Sequence, residues 1–119
     1  MSTHVNWSSQ TAEQLSPQIT RQYVSQPGMT IAHFKLKKGG VVPLHSHVNA
    51  QVTNVFEGVL RFHMEGKSIL VRAGETLFIP PNEPHEVFVD EDAVVLDIFT
   101  PERADWAAGA DAYLRAASK

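Results

Sequence analysis

The stretch Gly39-Gly40-Val41-Val42-Pro43-Leu44-His45-Ser46-His47-Val48-Asn49-Ala50-Gln51 sets two imidazoles and an amide into a run of β-type residues. In an extended strand alternate side chains share a face, and residues two apart are separated by roughly 6.6–6.8 Å. His45 and His47 can therefore converge on one ion. Gln51 has the same parity, so its amide oxygen faces the same space if the strand runs on. His85 lies far off in sequence, behind the turn Pro80-Pro81-Asn82-Glu83-Pro84, at the start of another strand. Three neutral imidazoles and one amide oxygen form a nitrogen/oxygen shell suited to a first-row divalent metal. A lone His-x-His more often satisfies a turn or a barrel rim. His4, His33 and His63 are read in that plainer way, with His63 pointing outward.

Outward from this stretch, turn signals recur at short intervals. They fall at Pro27-Gly28, Glu57-Gly58, Glu65-Gly66-Lys67, Ala73-Gly74-Glu75 and Asp90-Glu91-Asp92. Between them the spacing predicts strands at residues 19–24, 29–36, 51–56, 59–64, 68–71, 76–79, 86–89 and 93–99. Leu60, Phe62 and Met64 alternate with Val59, Arg61 and His63, which gives that strand one buried face. Gly66 marks a tight hairpin. Many short strands with frequent turns mean an all-β sandwich or barrel. Residues 1–18 read as a polar N-terminal arm, 19–100 as the barrel and 101–119 as a helical tail packed on it. Thr100-Pro101-Glu102 reads as the start of the tail helix, and Gly109 is expected to split the tail into two pieces.

A chain of 119 residues is one domain with one core. The absence of cysteine excludes disulfides, thiolate metal sites and cysteine nucleophiles. Seven of the ten Lys and Arg fall in residues 1–72, but they are scattered apart from Lys35, Lys37 and Lys38, so no nucleic-acid partner is expected. There is no apolar run of membrane-spanning length and no basic head followed by an apolar stretch. Neither a membrane association nor a signal peptide is expected, and a cytoplasmic location follows as an expectation. The sequence has no G-x-S-x-G elbow, P-loop or G-x-G-x-x-G.

These residues resemble the two motifs of the cupin family. The first is matched by Gly39, His45-Ser46-His47, Gln51 and Gly58, with Gln51 standing where glutamate is usual. The second is matched by Gly74, Pro80, Asn82 and His85, with Asn82 in place of glycine and Val89 in place of asparagine. Asn82 can adopt the turn conformation that glycine would. The resemblance covers roughly residues 20–100. It implies a double-stranded β-helix, or jelly-roll barrel, with one divalent transition metal (iron, nickel, zinc, manganese or copper) inside its mouth, and a homodimer. Glutamine in place of glutamate leaves a divalent site nearer +2, which makes bound oxygens more acidic and metal affinity lower.

The segment Ala93-Val94-Val95-Leu96-Asp97-Ile98-Phe99 reads as a buried strand interrupted by a carboxylate. An unpaired buried carboxylate is costly, so Asp97 must be paired, hydrogen-bonded or at the mouth. A structural Asp97–Arg103 ion pair and a catalytic role both meet that requirement. The ending Asp97-Ile98-Phe99-Thr100-Pro101-Glu102-Arg103 resembles that of KdgF-like cupins, which act on 4,5-unsaturated monouronates. Two residues depart from that pattern: Ala50 stands where many relatives have glutamate, and Glu102 replaces a second proline. This resemblance implies catalytic roles for Asp97 and Arg103. Asp97 would move protons, Arg103 would pair bidentately with a substrate carboxylate, and Phe99 would form an apolar wall. The implied reaction opens the unsaturated ring to a linear keto-uronate. Two other readings use the same shell: a dioxygenase, and a module that binds a small acid or sugar without turnover.

Overall fold

The structure, a computed structural model, describes residues 2–115, so 116–119 of the expected tail lie outside the described residues. Eight strands follow a short 3-10 turn at Trp7–Ser9. They are β1 (Glu13–Ser16), β2 (Ile19–Gln26), β3 (Met29–Leu36), β4 (Val41–His45), β5 (Ala50–Met64), β6 (Lys67–Arg72), β7 (Thr76–Ile79) and β8 (His85–Thr100). Two single-turn helices end the described chain, α1 (Ala104–Ala107) and α2 (Ala112–Arg115), with Gly109 at φ 79° between them.

All pairings are antiparallel, and β5 and β8 form the spine. The first half of β5 pairs with β7 and with residues 94–100 of β8, which in turn pair with β3. The second half of β5 pairs with β6 and with residues 86–91 of β8, while β4 pairs with 85–88. Each spine strand therefore belongs to both walls, and the walls enclose one core. Phe34, Val55, Leu60, Phe62, Val87, Val89 and Val95 are buried there.

The sequence predicts two strands on either side of Gly58, and two more on either side of Asp90-Glu91-Asp92. Each pair is instead one long strand. In β8 the buried residues stay on odd numbers from His85 to Phe99. In β5 they change from Gln51, Thr53 and Val55 to Leu60, Phe62 and Met64. That change of parity is a bulge, recorded as three register shifts between Val55 and Leu60. Gly58 makes it possible: its φ is 85°, and a Cβ there would lie 2.1 Å from the Asp92 carbonyl oxygen. β4 was not predicted, because Pro43 interrupts it; the proline sits where the register against β8 shifts.

The predicted helix start at Thr100-Pro101-Glu102 is corrected. Thr100 is the last rung of the β5–β8 ladder, opposite Ala50, and α1 begins only at Ala104. The intervening carbonyls of Pro101 and Glu102 accept hydrogen bonds from the buried Asn49 amide at 2.6 and 3.2 Å. The segment is thus a tie between the tail and the loop that carries His47. At the other end of the chain, Glu13–Ser16 of the polar arm forms a strand on the edge of β2.

Candidate metal centre and ligand pocket

His45 ends β4 and His85 begins β8, and they are direct register partners. Chain geometry therefore places these two rings together. His47 does not lie on the same strand as His45, because β4 stops at His45 and the chain loops before β5 starts at Ala50. The loop is held from two sides. The Asn82 N–H donates to the His47 carbonyl at 2.8 Å, and Asn82 adopts the φ of 65° that its turn role requires. Asn49 supplies the tie to the tail. One potential ligand nitrogen from each of His45, His47 and His85 lies within 4.8 Å of the others. The convergence expected from strand parity is thus achieved by a strand end, a loop and a facing strand.

Each imidazole is aimed by its own backbone. Nδ1 of His45 lies 2.8 Å from the Pro43 carbonyl, Nδ1 of His47 3.0 Å from that of Asn49, and Nδ1 of His85 2.8 Å from that of Glu83. A carbonyl can only accept, so each Nδ1 carries the proton and each Nε2 keeps its lone pair. Such outer contacts orient histidine ligands in metal sites. Burial holds His45 at about 4, with the nearby His85 adding to the effect. Burial and the Arg103 charge hold His47 at about 4. Burial lowers His85 as well. All three rings are neutral near pH 7, the form that binds a cation.

Gln51 completes the set. Its Nε2 donates to the Thr53 hydroxyl at 2.9 Å and approaches Asp97 Oδ2 at 3.5 Å, which turns Oε1 toward His47. Oε1 and His47 Nε2 are 3.0 Å apart. With the proton on Nδ1, both atoms present lone pairs and neither has a hydrogen to give. Two ligands on adjacent octahedral positions, each about 2.1 Å from an ion, lie about 3 Å apart. The residues present therefore fit a divalent transition metal held by His45, His47, Gln51 and His85.

His45, Gln51 and His85 line a pocket to which Thr53, Asp97, Arg103 and Tyr113 add polar groups and Phe99, Trp106 and the barrel core add apolar surface. Burial pushes the Asp97 carboxyl up to about 7, against the opposing pull of the Thr53 hydroxyl and the Arg103 charge. Its Oδ1 is buried without a hydrogen-bond partner. The Asp97–Arg103 ion pair considered from sequence does not form. Arg103 Nε and Nη2 instead grip Asp105 at 3.0 and 2.8 Å, and its backbone N–H donates to the Thr30 hydroxyl. The guanidinium lies over Phe99 and Trp106, 4.7 and 4.3 Å from their ring centres. Phe99 also meets His47 edge-on. His63 stands apart on the surface, as expected, against Phe88.

Residues 32–99 match the cupin domain family. The chain belongs to that family. The cupin is similar to the pectin degradation protein KdgF of Dickeya dadantii (strain 3937), with 31% identity over 80 residues, 66% of this chain and 71% of that protein. Its fold is similar to that of KdgF from Halomonas sp. (TM-score 0.82, 23% identity, covering 89% of this chain and 99% of that one). It is also similar to an RmlC-like cupin from Shewanella frigidimarina NCIMB 400 (TM-score 0.81, 24% identity, covering 88% and 96%). Among the described residues, no helix of this cupin is long and apolar enough to cross a membrane.

Tyr113 was not among the site residues expected from the sequence. It stacks on His45 with ring centres 4.5 Å apart, and its hydroxyl accepts from Arg103 and Trp106. Thr53 and Asn49 also escaped the sequence reading. The available signal for Thr53 was its parity with Gln51 on the same strand.

Proposed function

We propose that this cupin is a metal-dependent enzyme that opens 4,5-unsaturated monouronates to linear keto-uronates. The observation that carries the reading is a single buried carboxyl, Asp97, beside a ligand-ready His-His-Gln-His set. The similarity to pectin degradation protein KdgF supports the substrate class. A divalent cation on the four side chains would supply a Lewis acid toward substrate oxygens.

The reaction is an isomerisation and needs no added water. The anomeric hydroxyl loses a proton, the bond from the anomeric carbon to the ring oxygen breaks, and an aldehyde and an enol result. A proton then arrives at C4 and the enol becomes a ketone. Asp97 is the one carboxyl among the described residues that line the pocket, and its pKa of about 7 suits it to accept and return a proton at neutral pH. Phe99 supplies a flat apolar wall. Arg103 would pair bidentately with the substrate carboxylate through its Nη1–Nη2 edge, because Asp105 occupies the Nε–Nη2 edge.

The test is turnover of a 4,5-unsaturated galacturonate by wild type and Asp97→Ala, with metal content measured on both. Loss of turnover with normal metal content is expected. Unchanged turnover in Asp97→Ala would refute the proton-transfer role. Oxygen consumption with an aromatic diol, and none of the uronate turnover, would move the assignment to a dioxygenase.

A further inference from the structure

The pocket beside the histidines is small in this structure, and the tail forms part of its wall. Its volume is about 50 Å³, room for a few waters, whereas small-molecule sites ordinarily run to roughly 300–1,000 Å³. Tyr113 and Leu114 of the tail are part of its wall. A monouronate is larger than the space that this wall leaves.

A latch holds them there. Asp111, at the foot of α2, pairs with Arg21 of β2 at 2.9 Å, and both side chains are buried. Arg21 also reaches Glu13 of β1 and lies over the Trp106 ring at 4.5 Å. Trp106 thus contacts two guanidinium groups, Arg21 and Arg103, and donates its N–H to the Tyr113 hydroxyl at 3.1 Å. These contacts run without interruption from the latch to the pocket.

The donor inventory of Arg103 says what opens it. A guanidinium carries five N–H groups. Nε and one hydrogen of Nη2 go to Asp105; the remaining Nη2 donor goes to the Tyr113 hydroxyl at 2.7 Å. Nη1 makes no hydrogen bond to the described residues. The end-on edge, Nη1 with Nη2, matches a carboxylate in spacing and charge, and only a neutral phenol sits on half of it. A carboxylate adds a full negative charge and a second, parallel bond to what the phenol offers, which makes it the stronger partner for this edge.

Resting on the reading of Arg103 as a carboxylate ligand, we propose that the Tyr113 hydroxyl holds the place of the substrate carboxylate. An entering carboxylate displaces it from Arg103 and lifts residues 111–115 off the mouth. The tail is then a lid that admits acids in preference to neutral sugars of equal size. Because the form with Tyr113 on Arg103 competes with the ligand, it lowers apparent affinity in proportion to its population.

The experiment uses the metal-loaded protein carrying Trp7→Phe, which leaves Trp106 as the sole tryptophan. D-Glucuronate is the probe and D-glucose its uncharged control. Glucuronate is expected to raise acrylamide quenching of Trp106 at least threefold, and glucose to leave it unchanged. Asp111→Asn, which removes the latch charge, is expected to show raised quenching without ligand and to bind glucuronate five- to tenfold more tightly. Tyr113→Phe is expected to bind glucuronate more tightly as well; weaker binding would make the hydroxyl a ligand contact and overturn the placeholder role. Quenching that ignores glucuronate in wild type and Asp111→Asn, or no glucuronate binding to any variant at 50 mM, overturns the proposal. Turnover of the unsaturated uronate, measured in parallel, separates the two claims. Turnover with an unresponsive Trp106 removes the lid alone, and a responsive Trp106 without turnover removes the ring-opening reading alone.

Discussion

Replacing Asp97 with asparagine should stabilise the metal-free protein, and increasingly so as pH rises. Burial raises the carboxyl from 3.8 to about 7. Between those values the unfolded chain has lost a proton that the folded chain keeps, so stability falls as pH rises. The penalty is absent below about pH 4, grows through the window and levels off above about pH 7. At ~1.4 kcal/mol per unit the ceiling is about 4 kcal/mol, more than half of which develops between pH 5 and pH 8. His45 and His47, held at about 4, act in the opposite sense: their contribution is lost as pH falls from 6.5 toward 4. Both proteins carry those histidines, so the histidine contribution cancels in the difference. Urea denaturation in the presence of a chelator, at pH 5 and pH 8, gives the four stabilities needed. Asp97→Asn is expected to gain about 2–3 kcal/mol on wild type between the two pH values. Parallel behaviour would mean that Asp97 ionises at an ordinary carboxylate pH in the fold, and it would remove the basis for its acid–base role.

His47→Ala should reduce bound divalent metal from about one equivalent per chain to less than a tenth, measured by elemental analysis after dialysis. Gln51→Glu should bind the same metal at least tenfold more tightly, because a carboxylate replaces a neutral amide in the shell; weaker binding would place Gln51 outside it. Gly58→Ala forces a side chain into the Asp92 carbonyl at a left-handed φ and should cost about 3 kcal/mol or more, read as a lowered urea midpoint. The homodimer implied by the family resemblance is checked by light scattering, which should give twice the chain mass of 13.2 kDa; the mass of a single chain contradicts it.

The strand signals were legible because each strand alternates on its own scale, and the histidine cluster was legible because its spacing and surroundings match the two cupin motifs. What the sequence concealed is non-local or masked by composition. The bulge at Gly58 looks like a turn, since glycine after glutamate marks both, and only the change of buried parity from Val55 to Leu60 separates them. The Asp90-Glu91-Asp92 run looks like a loop because its charges face solvent from within a strand. Pro43 hid β4, yet that strand is what puts His45 opposite His85. Arg21 and Asp111 form a buried pair ninety positions apart, with no local pattern on either side. Tyr113 belongs to the same class: its partners, His45 and Arg103, are joined to it only by the way the tail folds back.

The central claim is that His45, His47, Gln51 and His85 hold one cation. An anomalous-scattering map from crystals of the metal-loaded protein tests it most directly. The account predicts one peak about 2.0–2.3 Å from the Nε2 atoms of His45, His47 and His85 and from Gln51 Oε1. A peak elsewhere, or imidazoles bonded to one another or to water with no peak among them, would contradict it.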